Sequence, residues 1–553
     1  MASIGIVIQT YLVRVLGLFF PMRHWFGLIN AKNLRRDFWA GLTGVAMVLP
    51  QGIAFALIAG LPPEFGLYSA IVVQVIAGLF GSSRHMVTGP TVALSIVIPG
   101  IIAPYAVIGS PQYIGLTLTL MFLVGVIQLL FGLFRFGSLV NFISHTVIIG
   151  FTAGAGLLII LAQLKTFTGI RLPSGLSPLE TLLALQAHWQ EFHYLSIFIA
   201  SVTLVSALLL RKFKPRWPGM LLGLLIGALV NYLLAGAEKG VDMLGVLPAS
   251  MPQMTLPYLS FPLITNLLPS AFALALLGLI EAVSIARSIA IRSHQRIDGN
   301  QEFFGQGLAN AIGSCFSCYV GSGSFNRSAI NYDAGAKTPI ALLITSGLIL
   351  LILIFIPQIT RHLPMPAVAG ALMLAGYNLF DLKQIKIIAK TSRNELTIIL
   401  VTFLSTLLLN LEFAIYVGVI LSLVFYLQKI SRPVVSLVDF SQVYEKDETI
   451  DDFPLTALRI DGSLFFGSID HVQNRMIELS SNKEWRNVVI LSEGVNQLDI
   501  AGIEFLLTER NKLRKRGGDL YIIGMKSHVR NKLRASLIGR CCQVVIIFLR
   551  ALI

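Results

Sequence analysis

Gly321-Ser322-Gly323-Ser324-Phe325-Asn326-Arg327 follows an apolar run at 303–320 and opens a short, broken one at 324–335. Glycine lets the backbone bend sharply, so the chain can stop one helix and begin another inside a single apolar region. Gly89-Pro90-Thr91 does the same earlier in the chain, with proline tolerated in the first turn of the helix that follows. Split the apolar region into two halves, and each interruption falls about 50–60 residues into its half, the third segment in both. Glycine- or proline-interrupted segments at matching positions mark a membrane protein built from inverted repeats, with its binding site near the midplane.

Composition supports the membrane class. Of 553 residues, 55% are hydrophobic and 13% charged, where soluble proteins carry about 25% charged residues. A mean hydropathy of +0.77 over this length exceeds what one soluble core absorbs, since such cores stop growing near ~250–300 residues. The runs are about 17–25 residues long, enough to cross ~30 Å of hydrocarbon. They lie near 39–60, 66–81, 90–106, 113–134, 139–162, 194–210, 218–236, 266–290, 303–320, 324–335, 338–357, 363–379, 394–410 and 412–428. The expected fold is therefore an α-helical polytopic membrane protein of about 14 segments arranged 7+7.

The net charge of +14 sits in connectors rather than on a basic face interleaved with aromatics, so nucleic acid is not an expected partner. Lys32, Arg35, Arg36, Arg135, Arg211, Lys212, Lys214, Arg216, Arg292, Arg296, Lys383, Lys386, Lys390, Arg393, Lys429 and Arg432 fall in alternate connectors. The opposite connectors hold only scattered charges such as Lys165, Arg171, Lys239 and Arg361. The positive-inside bias then places both termini in the cytoplasm of a cell with the protein in its inner (plasma) membrane. Met1–Phe20 is apolar but interrupted by Arg14, and reads as an interfacial or internal segment rather than a cleaved signal. Four cysteines are too few for a disulfide framework.

Past Ser431-Arg432-Pro433 the composition becomes that of a soluble domain. Short buried strands are expected at 457–460, 488–491 and 520–523, with helices at 469–480 and 500–516 between them. The domain boundaries read as 1–36 (N-terminal cytoplasmic or interfacial), 37–430 (transmembrane transport) and 431–553 (small cytoplasmic α/β domain).

An anion at membrane depth needs donors and positive potential in place of water. Two half-helices with facing N-termini supply both. Arg327 falls in the first turn of the second, and an arginine at that depth costs about 2.5–3.5 kcal/mol, so it is rarely idle. A purely structural arginine bonded to carbonyls is the competing reading. Ser322, Ser324 and Asn326 are caps or ligands beside it; Asn326-Arg327-Ser328 matches a glycosylation sequon that membrane depth rules out. Gln51 and Phe55 share a helix face next to Pro50 and Gly52. Glu281 is the acid inside the run 266–290, a candidate for proton coupling or for a salt bridge to Arg327. Cys315-x-x-Cys318 lacks a redox context. No P-loop, metal-ligand cluster or nucleophile triad occurs, so no cofactor, metal or enzymatic activity is expected.

Leu49-Pro50-Gln51-Gly52-Ile53-Ala54-Phe55-Ala56, Ala59-Gly60-Leu61-Pro62-Pro63, Gly66-Leu67-Tyr68 and Gly81-Ser82-Ser83-Arg84-His85 resemble the SulP family of sulfate permeases and related anion transporters. Gly89-Pro90-Thr91, Gly321–Ala329 and Asn331 to Pro339 continue the likeness, and Val495-Asn496-Gln497-Leu498-Asp499-Ile500-Ala501-Gly502 resembles a STAS domain. The resemblance implies a core domain moving against a gate domain, a homodimer, and an anion site between the third and tenth segments. Gln51, Phe55, Thr91, Asn326 and Arg327 match its lining, and Glu281 stands where proton-coupled relatives carry an acid. Two features depart from the pattern. Asp499 is followed by Ile500 where signalling STAS domains have a phosphorylated serine, and the apolar tail Cys541–Ile553 reads as a truncated or altered end.

The expected activity is secondary transport of a small inorganic anion, sulfate first, by proton symport with alternating access. Bicarbonate or a C4-dicarboxylate, with Na⁺ as a possible driving ion, follow as substrates; a regulatory scaffold and an anion channel are the other classes. Expected partners are the anion, membrane lipid, a second copy of the chain and a cytoplasmic protein on the STAS-like domain.

Overall fold

The computed structural model describes residues 17, 21–137, 144–170, 178–213, 219–245, 251–355, 361–409, 411–438, 455–480 and 485–537. Met1–Leu16, Lys214, Arg216, Arg171 and the tail Cys541–Ile553 lie outside the described residues. The chain forms two compact units, 1–422 and 423–553.

The first unit is helical apart from one pair of two-residue strands. Its main helices are α1 (Ala31–Ile58), α2 (Pro63–Phe80), α3 (Val92–Ile102), α4 (Pro111–Leu133), α5 (His145–Thr168), α6 (Tyr194–Phe213) and α7 (Gly219–Leu233), then α8 (Phe261–Ser293), α9 (Gly299–Ser314), α10 (Phe325–Asp333), α11 (Ile340–Phe355), α12 (Met365–Tyr377), α13 (Arg393–Leu408) and the first half of α14 (Leu411–Ile430), which crosses residue 422. Among the described residues, 8 helices are long and apolar enough to cross a membrane. Each helix lies where an apolar run predicts one, with shifted ends. The largest shift is α1, which starts at Ala31 rather than 39. Asn30 caps it, its side chain accepting from the Asn33 N–H at 2.8 Å, so the charged turns around Lys32 and Arg35 are helical although they are not apolar.

Packing sorts the helices into two groups. In the first, α1 packs on α2 and α11, and α9 packs along α4 and α2, with α8 against α4. In the second, α5, α6, α7, α12 and α13 pack on one another, and Gly418 brings α14 against Thr402 and Val147. Segments one to four thus keep company with eight to eleven, and five to seven with twelve to fourteen, as a 7+7 repeat requires. Close approach holds the first group together: a Cβ on Gly125 would meet the Ala311 nitrogen at 2.3 Å, and one on Gly307 the Leu129 nitrogen at 2.3 Å. Only glycine fits where α4 and α9 touch backbone to backbone.

The short helices Arg23–Phe26 and Pro178–Ala187, the single turn Trp189–Glu191, the helix Leu382–Thr391 and one strand pair are absent from the sequence expectation. The short helix Leu382–Thr391 lies between α12 and α13 where the sequence reads as a basic connector, capped by Asp381 on the Gln384 N–H. Two-residue strands β1 (Thr88–Gly89) and β2 (Ser322–Gly323) pair antiparallel.

The second unit carries a four-stranded sheet in the order β3 (Val434–Val438), β4 (Leu455–Asp461), β5 (Asn487–Leu491), β6 (Leu520–Ile523). β3 joins β4 antiparallel, and the other pairs are parallel. Helices α15 (Ile469–Ser480), α16 (Ile500–Lys515) and α17 (Ser527–Leu537) accompany it. Leu458, Ile460, Val488, Ile490, Leu520 and Ile522 form the core with Val472, Leu506 and Leu533. The expected strands and helices are present; β3 and α17 are additional. Buried Arg510 grips Asp519 through Nε at 2.8 Å and Nη2 at 3.3 Å, and half-exposed Arg514 adds bonds at 3.1 and 3.0 Å.

Candidate functional site

The site is built by the β1–β2 pair. Its register sets Thr88 opposite Gly323 and Gly89 opposite Ser322. Each strand feeds a helix that is too short to span a bilayer: α3 has 11 residues and α10 has 9, or about 16 and 14 Å against ~30 Å of hydrocarbon. Pairing therefore brings two helix N-termini together in the interior of the unit. Gly89 has φ +156°, backbone that favours glycine. A Cβ there would also lie 3.3 Å from Arg327 Nη1.

The two starts are capped differently. Thr91 caps α3, its Oγ1 accepting from the Leu94 N–H at 3.4 Å. Ser324 occupies the cap of α10 without a side-chain bond, so the first-turn N–H groups there keep their donors uncapped by it. The Ser324 N–H donates instead to Val87 O at 3.0 Å, and the Ser328 hydroxyl accepts from the Val87 N–H at 2.8 Å. These bonds fix α10 to the strand before α3.

Arg327 lies between the two starts, 2% exposed. Its Nη2 donates to Pro90 O at 2.6 Å, while Nε and Nη1 have no hydrogen-bond partner. A buried guanidinium with donors left over is costly unless something accepts from them. Glu281 approaches from α8. Ser322 Oγ donates to Gly278 O at 2.7 Å, tying β2 to α8 one turn before Glu281, and Thr91 Oγ1 donates to Glu281 Oε2 at 3.4 Å. Arg327 and Glu281 feel one another electrostatically, yet among the described residues they form no ion pair, so the salt-bridge reading of Glu281 does not hold. Tyr319, fully buried, hydrogen-bonds Ser95 of α3 at 3.2 Å.

The structure thus gathers Thr91, Glu281, Arg327 and the Ser324 backbone around one point. Phe55 is close to it in packing terms: it shares an apolar cluster with Val92, the first residue of α3, and with Ile159, Leu224 and Ala367 of the second helix group. Gln51 is buried one turn earlier on α1. Asn326 is exposed and joins none of these contacts.

Sequence reasoning misses a second layer. Asn310 on α9 clasps Gly321, accepting from its N–H at 3.0 Å and donating to its carbonyl at 3.0 Å; the same amide reaches Gln128 at 2.8 Å. Gln306, one turn earlier, donates to Thr88 Oγ1 at 3.0 Å. The available signal is the spacing of Glu302, Gln306 and Asn310, one face of a helix, inside an apolar segment.

With this geometry in hand, comparison with known proteins is informative. Residues 34–402 match the sulfate permease family, and residues 443–540 match the STAS domain. Sulfate transporter 1.3 of Arabidopsis thaliana is 28% identical over 554 residues, covering 94% of this chain and 84% of that protein. The structure of the murine Slc26a9 anion transporter in its inward-facing state superposes with a TM-score of 0.83 at 22% identity, covering 95% of this chain and 90% of that one. The transmembrane domain of the cyanobacterial bicarbonate transporter BicA superposes at 0.61 and 24% identity, covering 72% and 98%.

Proposed function

The chain belongs to the sulfate permease family, a family of transporters and not of enzymes, and from that premise we propose that it is a secondary transporter of a small inorganic anion, sulfate first. One observation carries the reading: a buried Arg327 with Nε and Nη1 unpartnered, set between the N-termini of α3 and α10. Positive potential, backbone donors and a guanidinium converge on one point, a combination that suits an oxyanion and leaves a cation or neutral solute unrewarded. Thr91, Ser324 and Arg327 are the proposed ligands, with Gln51 and Phe55 closing the side toward the second helix group; Asn326 has no contact here to support its part.

Alternating access follows from the two helix groups. The apolar cluster around Phe55 lies where they meet, and sliding there would open the site to either side. Glu281 is the proposed proton carrier, since a carboxyl bonded to Thr91 can offset the anion's charge within the loaded site. In this reading 37–430 performs transport, 431–553 is a cytoplasmic regulatory domain with a protein partner, both termini are cytoplasmic in the inner membrane, and the protein works as a homodimer. The test is uptake by purified protein in liposomes, with labelled sulfate, bicarbonate and a C4-dicarboxylate under imposed pH or Na⁺ gradients. Saturable sulfate accumulation driven by an inward proton gradient is expected. Bicarbonate or dicarboxylate accumulation without sulfate would reassign the substrate, Na⁺-driven uptake the coupling ion, and non-concentrative flux the class.

A further inference from the structure

We propose that α9 carries a buried site for a small hard cation, a proton or Na⁺, held by Glu302 and Gln306 and separate from the anion site. Both side chains are buried, 0% and 1% exposed, and stand one turn apart on the same helix face. Glu302 Oε1 is crowded with donors: the Ser82 N–H at 2.8 Å, the Ser82 hydroxyl at 3.1 Å and the Ser83 N–H at 2.5 Å. Its Oε2 has no partner, and neither has Gln306 Oε1. Two unpartnered buried acceptor oxygens on successive turns are a deficit of positive charge or of a proton.

The charged neighbours do not fill that deficit. Asp298 caps α9 through the Asn300 and Gln301 N–H groups and adds negative charge. On the loop after α2, Arg84 donates through Nε to Gln295 Oε1, and the His85 ring stands edge-on to Tyr332 with Nδ1 unpartnered. Arg287 of α8 lies near Gly299 at the start of α9, and Lys337 follows α10. None of them forms an ion pair with Glu302 among the described residues. A buried carboxylate without a counter-charge is strongly disfavoured, and one bound proton or Na⁺ removes the cost.

Occupancy would bear on the anion site through two short links. Glu302 holds Ser82 and Ser83, six and five residues before Thr88, and Gln306 holds Thr88 itself, the first residue of β1. The rival arrangement turns the Gln306 amide so that Oε1 accepts from the Thr88 hydroxyl; it removes the Gln306 acceptor from the site.

The experiment is thermal unfolding of the purified full-length protein in nanodiscs at constant chloride. One arm titrates Na⁺ against choline at pH 8, the other lowers pH in Na⁺-free buffer. A site of this kind raises the wild-type midpoint by about 3–8 °C over a hundredfold rise in its cation, and the responsive arm identifies the ion. The variants are compared in a Glu281→Gln background, which removes the proposed coupling acid from the pH arm. There Glu302→Gln, which mimics the protonated carboxyl, should abolish the response, and Gln306→Leu should move its midpoint concentration about tenfold higher. No response of Glu281→Gln to either cation overturns the proposal, as does a response that survives when Glu302→Gln is added. Should Glu302→Gln fail to fold, an unmoved midpoint in Gln306→Leu overturns it equally.

Discussion

Arg327 binds one carbonyl, Pro90 O, and holds two further nitrogens without acceptors in a buried place. Arg327→Ala is expected to weaken sulfate binding by about 1.5–3 kcal/mol, the worth of a charge-assisted contact, while the protein still inserts and folds. Titration calorimetry on the purified variant reads this directly, and unchanged affinity would remove Arg327 from the site. Glu281→Gln is expected to divide two activities. The amide stands in for the protonated carboxyl, so anion-for-anion exchange should persist, because both half-cycles run loaded. Uptake driven by an inward proton gradient should vanish, since no proton can be released inside. Accumulation by the variant under a pH gradient would place the coupling acid elsewhere. Both residues were legible in the sequence because a charge inside an apolar run is conspicuous. Tyr319, Gln306 and Asn310 were not, since their roles depend on which backbone they meet across the fold. Asn326, beside Arg327 in sequence, is exposed and shares none of these contacts, so its part in the site rests on the family resemblance alone.

The pairing of β1 with β2 is the element on which the site depends, and four residues make it. Gly321 precedes β2, and a Cβ there would lie 3.0 Å from both the Gly89 carbonyl carbon and its oxygen. Backbone cannot yield as a flexible side chain can, so Gly321→Ala should push the strands apart and misalign the two helix starts. The expected result is at least tenfold weaker anion binding with unchanged helical content, read by calorimetry and circular dichroism on one preparation. Retained affinity would mean the pair tolerates separation. The interruptions at Gly89 and Gly321 pointed to broken segments at the right places, because glycine and proline act locally. That the two breaks pair with each other is a long-range fact, 233 positions apart for Gly89 and Ser322, and no local pattern states it. The helix Leu382–Thr391 escapes for a different reason: it is basic and mostly exposed, so a search for apolar runs passes over it, although Asp381 announces its cap. β3 is an edge strand with one buried residue, Val435, so a search for short buried strands passes over it.

At the scale of the whole molecule, the division into a membrane unit and a small sheet domain was readable from composition, since the two solvents demand different surfaces. In the sheet domain, burial works against the charge on Asp519, yet the Arg510 and Arg514 guanidiniums hold its carboxyl down from the ordinary 3.8 to about 2. The stabilisation from that lowered value is fully present above pH ~4 and is lost as pH falls toward ~2. Arg510→Ala removes the buried half of the clasp and should destabilise this unit by about 1.5–3 kcal/mol at neutral pH. Hydrogen exchange over 455–537 in the full-length protein would show it as faster opening of β5 and β6, and unchanged protection there would mean Arg514 suffices. The larger question is whether the sheet domain takes part in anion binding. Every residue gathered at the proposed anion site, from Phe55 to Arg327, belongs to the first unit, and among the described residues none of its hydrogen bonds reaches beyond residue 422. Ending the chain at Pro433 should therefore leave anion affinity within about threefold of the full-length protein, although yield and transport rate are free to fall. The measurement is calorimetric affinity on a monodisperse truncated sample beside the intact protein. Loss of binding in that sample would show that the helix groups need the sheet domain to hold the two half-helix starts in register.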